Sequence, residues 1–130
     1  MENVKSAGQL LVAALVLLPI SGCKNLSADC TSIGRFGLSV IVRDIRTGQA
    51  PAVGSTLFVR DGAYQEQFPA PGTPAGQSSD FGAANNRPGT YDLRVTTSGY
   101  SDWIRTGVKV DADACGHPKT VSLTAAISPS

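Results

Sequence analysis

Charge of one sign is missing from this chain: eleven Lys and Arg stand against ten Asp and Glu. No concentrated positive field exists to hold a phosphate backbone, which excludes nucleic acid as a partner. Histidine is nearly absent, with His117 alone. Nucleophilic catalysis of the Ser-His-Asp or Cys-His kind needs a base beside the nucleophile, and a single His within Cys115-Gly116-His117-Pro118 reads as a turn residue instead. Aromatics are few, at 6%. Long apolar runs are also lacking. The longest stretch, Leu10 to Ile20, carries Pro19 near its end and falls short of the ~20 residues that a bilayer-spanning helix needs. What the chain does have is fourteen Gly and eight Pro among stretches rich in Ser, Thr and Val. That composition favours short strands and turns over helices and fits one compact all-β domain.

Residues 1–22 stand apart from that domain. Lys5 precedes the apolar stretch Leu10 to Ile20, the layout of a secretory signal peptide. The stretch ends in Ile20-Ser21-Gly22-Cys23, which resembles the lipobox of bacterial lipoproteins: a branched apolar residue, two small residues, then the cysteine to be acylated. The resemblance implies cleavage before Cys23 and acylation of that cysteine, palmitate included. It makes the membrane a partner through the N-terminal lipid and places the protein in the cell envelope. Lys24 in place of Asp after the cysteine implies outer-membrane sorting in a Gram-negative source. The competing reading is an ordinary signal peptide with Cys23 as an incidental thiol.

Three cysteines in an exported chain leave one over. With Cys23 assigned to the lipid, Cys30 and Cys115 remain as a natural disulfide pair for an oxidising compartment. Closing a loop of about 85 residues removes on the order of 4.5 kcal/mol of unfolded-chain entropy. Residues 23–29 form a short polar tether, and the folded domain spans 30–130.

Within the domain, Leu38, Val40 and Val42 alternate with Ser39, Ile41 and Arg43, the period-two signature of a strand. Residues 44–52, with Thr47-Gly48 and Pro51, read as a connection. Thr56 to Arg60 and Tyr64 to Phe68 flank Asp61-Gly62 and predict a hairpin. Residues 69–90, crowded with Pro, Gly, Ala, Ser and Asn, show no periodicity and predict a long loop, either a surface excursion or a recognition element. Strand character returns at Tyr91 to Thr96, Asp102 to Val110 and Thr120 to Ile127, with a turn at Ser98-Gly99. About seven short strands without a credible helix predict an all-β fold, a two-sheet antiparallel β-sandwich.

Two segments are similar to a known family. Arg87-Pro-Gly-Thr-Tyr-Asp-Leu-Arg-Val-Thr-Thr-Ser-Gly-Tyr100, a Gly-x-Tyr opening a strand that closes on Gly-Tyr, and the stretch Val40 to Val59 with its Thr47-Gly48 turn resemble the carboxypeptidase regulatory-like domains. The resemblance covers most of Gly37 to Ala125 and implies a prealbumin-like (transthyretin-type) sandwich. It further implies an extracytoplasmic accessory or binding module without catalytic residues. The hydrolase that shares this sandwich relies on several histidines, against one here.

Metal chemistry finds little support. Asp111 and Asp113 share a loop, but calcium takes six to eight oxygens and no EF-hand spacing completes the set. One His and two paired Cys leave zinc without a tetrahedral shell. Asp80, Asp92 and Asp102 form no recognisable acid pair, and Asp92 points outward from its strand. Among the aromatics, Tyr100 and Trp103 read as caps on the core, whereas Phe81 in the long loop and Tyr64 beside the hairpin are the candidate partner contacts. No cofactor is implied. The expectation is a non-enzymatic, membrane-anchored lipoprotein that binds an envelope protein or glycan. The alternatives are a small hydrolase with an unrecognised acid-based site, or an accessory subunit of an envelope complex.

Overall fold

The computed structural model describes Cys30, residues 34–73 and residues 76–130; the signal, the tether and Cys23 lie outside the described residues. Seven strands are formed: β1 (Phe36–Asp44), β2 (Ser55–Asp61), β3 (Tyr64–Phe68), β4 (Asp80–Asn85), β5 (Gly89–Thr97), β6 (Trp103–Val110) and β7 (Val121–Ile127). They build a two-sheet sandwich, β4-β1-β7 against β3-β2-β5-β6, with no helix among the described residues. Alternation decides which side chains meet between the sheets. Leu38, Val40 and Val42 of β1 face Leu57 and Val59 of β2 and Tyr91, Leu93 and Val95 of β5 in one buried cluster.

The β2–β3 hairpin forms where Asp61-Gly62 predicts it, with Asp61 and Tyr64 as the closing pair and Gly62 at φ +63°. Left-handed backbone at the first loop position is what glycine supplies there. In β6, Trp103 is half-buried and Val108 and Val110 are buried, although Trp103 and Val108 have opposite parity. A bulge reconciles them: the register with β5 shifts between Tyr91 and Leu93. Gly107 takes φ +66° and donates its N–H to Asp92 Oδ1 at 3.0 Å. Asp92 points outward, as its place in the strand predicts.

Two expectations are corrected. Residues 69–90 are not one loop, because β4 lies inside them and pairs antiparallel with β1, Val40 opposite Phe81 and Leu38 opposite Ala83. Phe81 is therefore not an exposed contact. It is 8% exposed and belongs to the core. The two-sheet sandwich is antiparallel-dominated as expected, with one parallel pair, β1 and β7, running from Leu38–Val121 to Asp44–Ile127. The reason is connectivity: β6 ends at the edge of the sandwich where β1 begins, so the 111–120 connection delivers β7 to that same end.

Candidate functional site

Each end of the sandwich carries a carboxylate, an arginine and a tyrosine in contact. Where β1 runs out, Asp44 is only 4% exposed. Its Oδ1 accepts the backbone N–H of Arg46 at 2.8 Å and Nε of Arg46 at 3.1 Å. Its Oδ2 accepts Nη2 of Arg46 at 2.7 Å and the Tyr100 hydroxyl at 2.6 Å. These donors, the Arg46 guanidinium first and Tyr100 next, hold the Asp44 carboxyl well below the usual carboxylate range. The same bond to Asp44 pushes the Tyr100 phenol up. An ion so fully bonded is structural: it ties the β1–β2 connection to the β5–β6 turn. Tyr100 and Trp103 pack against the core, as the caps they were read to be.

At the opposite end Tyr91 is the hub. Its ring is fully buried and its hydroxyl donates to the Arg87 carbonyl four residues back, the arrangement of a tyrosine corner. Arg87 Nη1 reaches Asp61 Oδ2 at 2.9 Å and Tyr91 Oη at 3.1 Å, while its guanidinium lies 3.9 Å from the centroid of the Tyr64 ring. A Cβ at Gly89 would stand 2.5 Å from Asp61 Oδ2. The Gly-x-Tyr signature thus has a local cause: Gly89 leaves room for the carboxylate, and Tyr91 closes the corner. Tyr64 is half-buried, with the Arg87 guanidinium against its ring. Burial and the Glu66 carboxylate push its phenol up to about 12.

Cys30 and Cys115 are joined by a disulfide. Beyond Cys115, Asp113 Oδ1 accepts the N–H of Cys115 and of His117, both at 2.9 Å, and Arg35 reaches its Oδ2 at 3.3 Å. The His117 N–H above all keeps this carboxyl ionised below its ordinary range. Asp111 pairs with Lys109 at 3.1 Å. His117 follows the turn at 114–116 and its backbone is bonded both ways to Asp113, and the two loop carboxylates are engaged internally. No group of three or more metal-ligating side chains occurs among the described residues.

The surface with room for a ligand lies elsewhere, on the outer face of the four-stranded sheet. An open groove of about 620 Å³ crosses β3, β2, β5 and β6 and is rimmed by Pro71. Sheet register explains its lining. Phe58 pairs with Gln67 on one side and Arg94 on the other, and Arg94 pairs with Ile104, so these four form one transverse row. Arg60 pairs with Gln65 and Asp92, and with Thr106 these form a second. Arg94 lies 4.3 Å over the Phe58 ring and meets Asp102 Oδ2 at 3.5 Å. Ile104 is 61% exposed. No family model matches the chain, and no curated protein does either. The groove residues went unnoticed in the sequence because they are the polar half of ordinary strand alternation. Only the exposed Ile104, an apolar residue out of phase with Trp103, was a signal.

Proposed function

We propose that this protein is a non-enzymatic lipoprotein of the bacterial envelope, cut before Cys23, acylated there, and displaying a carboxypeptidase regulatory-like sandwich that binds another envelope component. In a Gram-negative source its place is the outer membrane. The observation that carries the binding reading is the groove on the outer face of the four-stranded sheet, whose volume lies within the roughly 300–1,000 Å³ of ligand pockets. The anchoring reading draws support from the thiol arithmetic: with Cys30 and Cys115 joined, Cys23 is the remaining cysteine and it sits in a lipobox. A disulfide also suits an oxidising compartment.

Two of the carboxyls, Asp44 and Asp113, are unsuited to hydrolysis as general acids. A general acid needs a raised pKa, whereas Asp44 and Asp113 are both lowered by the donors around them. Intact mass of the membrane-fraction protein, with and without Cys23→Ala, tests the anchor. The expected species begins at Cys23, carries acyl chains that the variant loses, and has no free thiol. An unmodified soluble species with a free Cys23 would overturn it.

A further inference from the structure

On the reading of the groove as a binding site, we infer that its ligand is an anionic glycan strand, held by Arg60 and Arg94 over an apolar floor of Phe58 and Ile104. Charge is the first argument. The two transverse rows hold two guanidiniums and one carboxylate, and that carboxylate, Asp92, already accepts the Gly107 N–H at 3.0 Å. Arg60 has no ion pair among the described residues. Arg94 has only a long, exposed contact with Asp102, at 3.5 Å with side chains 46% and 48% exposed. Such a pair holds an arginine weakly. An acidic group can therefore displace Asp102 and gain bidentate donors in return.

Geometry is the second argument. Arg60 and Arg94 stand diagonally on β2 and β5, where Cβ separations are about 7–8 Å. Two acidic groups on one strand of ligand can meet both. The Arg94 guanidinium carbon lies 4.3 Å from the centroid of the Phe58 ring, a cation–π contact that holds the charge over the apolar floor of the groove.

The third argument separates glycan from peptide. β2 and β5 are inner strands, each paired on both sides. Their backbone donors and acceptors are used, so along the middle of the groove an extended peptide finds no ladder to join, which is how strands usually capture peptides; the open edges, β3 and β6, lie at its margins. Side chains alone do the recognising. Gln65, Gln67 and Thr106 offer amide and hydroxyl groups, and Phe58 with Ile104 offers an apolar base. Alternating hydroxyls and C–H faces, with acidic groups at intervals, are the complement of that surface.

The test uses the full chain, extracted in detergent, titrated with polygalacturonate, dextran and poly-L-glutamate. Polygalacturonate should bind, weaken as salt is raised, and lose about tenfold in affinity for each of Arg60→Ala and Arg94→Ala. Unchanged melting temperatures would show that the variants fold. Equal binding of dextran, binding that survives the double variant, or poly-L-glutamate binding as well as polygalacturonate would each overturn the inference. A parallel sedimentation of the Cys23→Ala chain with isolated cell envelopes separates the two readings. If the double variant abolishes sedimentation while polygalacturonate does not bind, the groove is a binding site for something other than an anionic glycan. If the double variant changes neither readout, the binding reading fails with the inference.

Discussion

The two ends of this sandwich use the same three residue types and hold themselves together differently. At the end of β1 the centre is an ion: the buried Asp44 carboxylate gathers Arg46 and Tyr100, residues that lie on different connections. At the β4–β5 corner the centre is a ring: Tyr91 is buried, and Arg87 lies between the ring of Tyr64 and the carboxylate of Asp61. The disulfide-bonded Cys115 belongs to this second end, in the connection after β6. A clasp built on a charge depends on pH through that charge, while one built on a ring and a covalent bond depends on acid only through the neighbouring carboxylate of Asp113. The contrast teaches that chemical composition alone does not say how a polar cluster stabilises a fold; which member is buried does.

The largest effect should come from the covalent bond. Cys115→Ser, like reduction of the native protein, should lower unfolding free energy by about 2–5 kcal/mol, measured by urea titration. A loss below that range would mean the corner holds its end without the bond. Next, Tyr91→Phe keeps the buried ring and removes the hydroxyl, leaving the Arg87 carbonyl without its donor; the expected loss is about 1–3 kcal/mol. A neutral result would make the ring, and not the hydrogen bond, the whole of that clasp.

Asp44→Asn tests the other end through pH. A carboxyl lowered by folding adds stability that is complete above its unfolded pKa, ~3.9, and that drains away as pH falls below it. The native protein should therefore lose stability on acidification. The variant should be less stable at neutral pH and show a shallower acid limb, the remainder belonging to Asp113. Parallel acid limbs for the two proteins would refute the charge-centred account. The smallest effect is alkaline. Tyr64, raised to about 12 by burial and Glu66, favours its neutral form in the fold, so stability is full below ~10 and falls as pH rises past it. Tyr64→Phe should remove part of that fall, seen in melting temperatures between pH 9 and 12.

Much of the fold was legible in the sequence where strands announce themselves by alternation. Leu38-Val40-Val42, the Asp61-Gly62 turn and Tyr91-Leu93-Val95 all stand as their spacing predicts. β4 was not legible. Its Asp80-Phe-Gly-Ala-Ala-Asn85 has no β-branched residue and looks like loop, yet the small residues are there for fit. A Cβ at Gly82 would stand 2.7 Å from the Phe36 ring, and Ala83 and Ala84 are buried. Ala84, at φ +54°, donates its N–H to Glu66 on β3 at 2.8 Å. Burial of Phe81 follows from that pairing and from nothing within its own neighbourhood in the chain.

Local order therefore accounts for what the sequence by itself determined: an all-β chain, and where most strands begin and turn. Period-two alternation and glycine at left-handed turn positions are written within short stretches, and the cysteine pair followed from the count once the lipobox resemblance set Cys23 aside. The tertiary structure alone decided the parallel pairing of β1 with β7, the burial of Phe81, the meeting of Asp44 with Tyr100 across 56 positions, and the rows that line the groove. Each of these depends on register between strands distant in the chain, and register is set by how whole faces pack, which no single segment encodes.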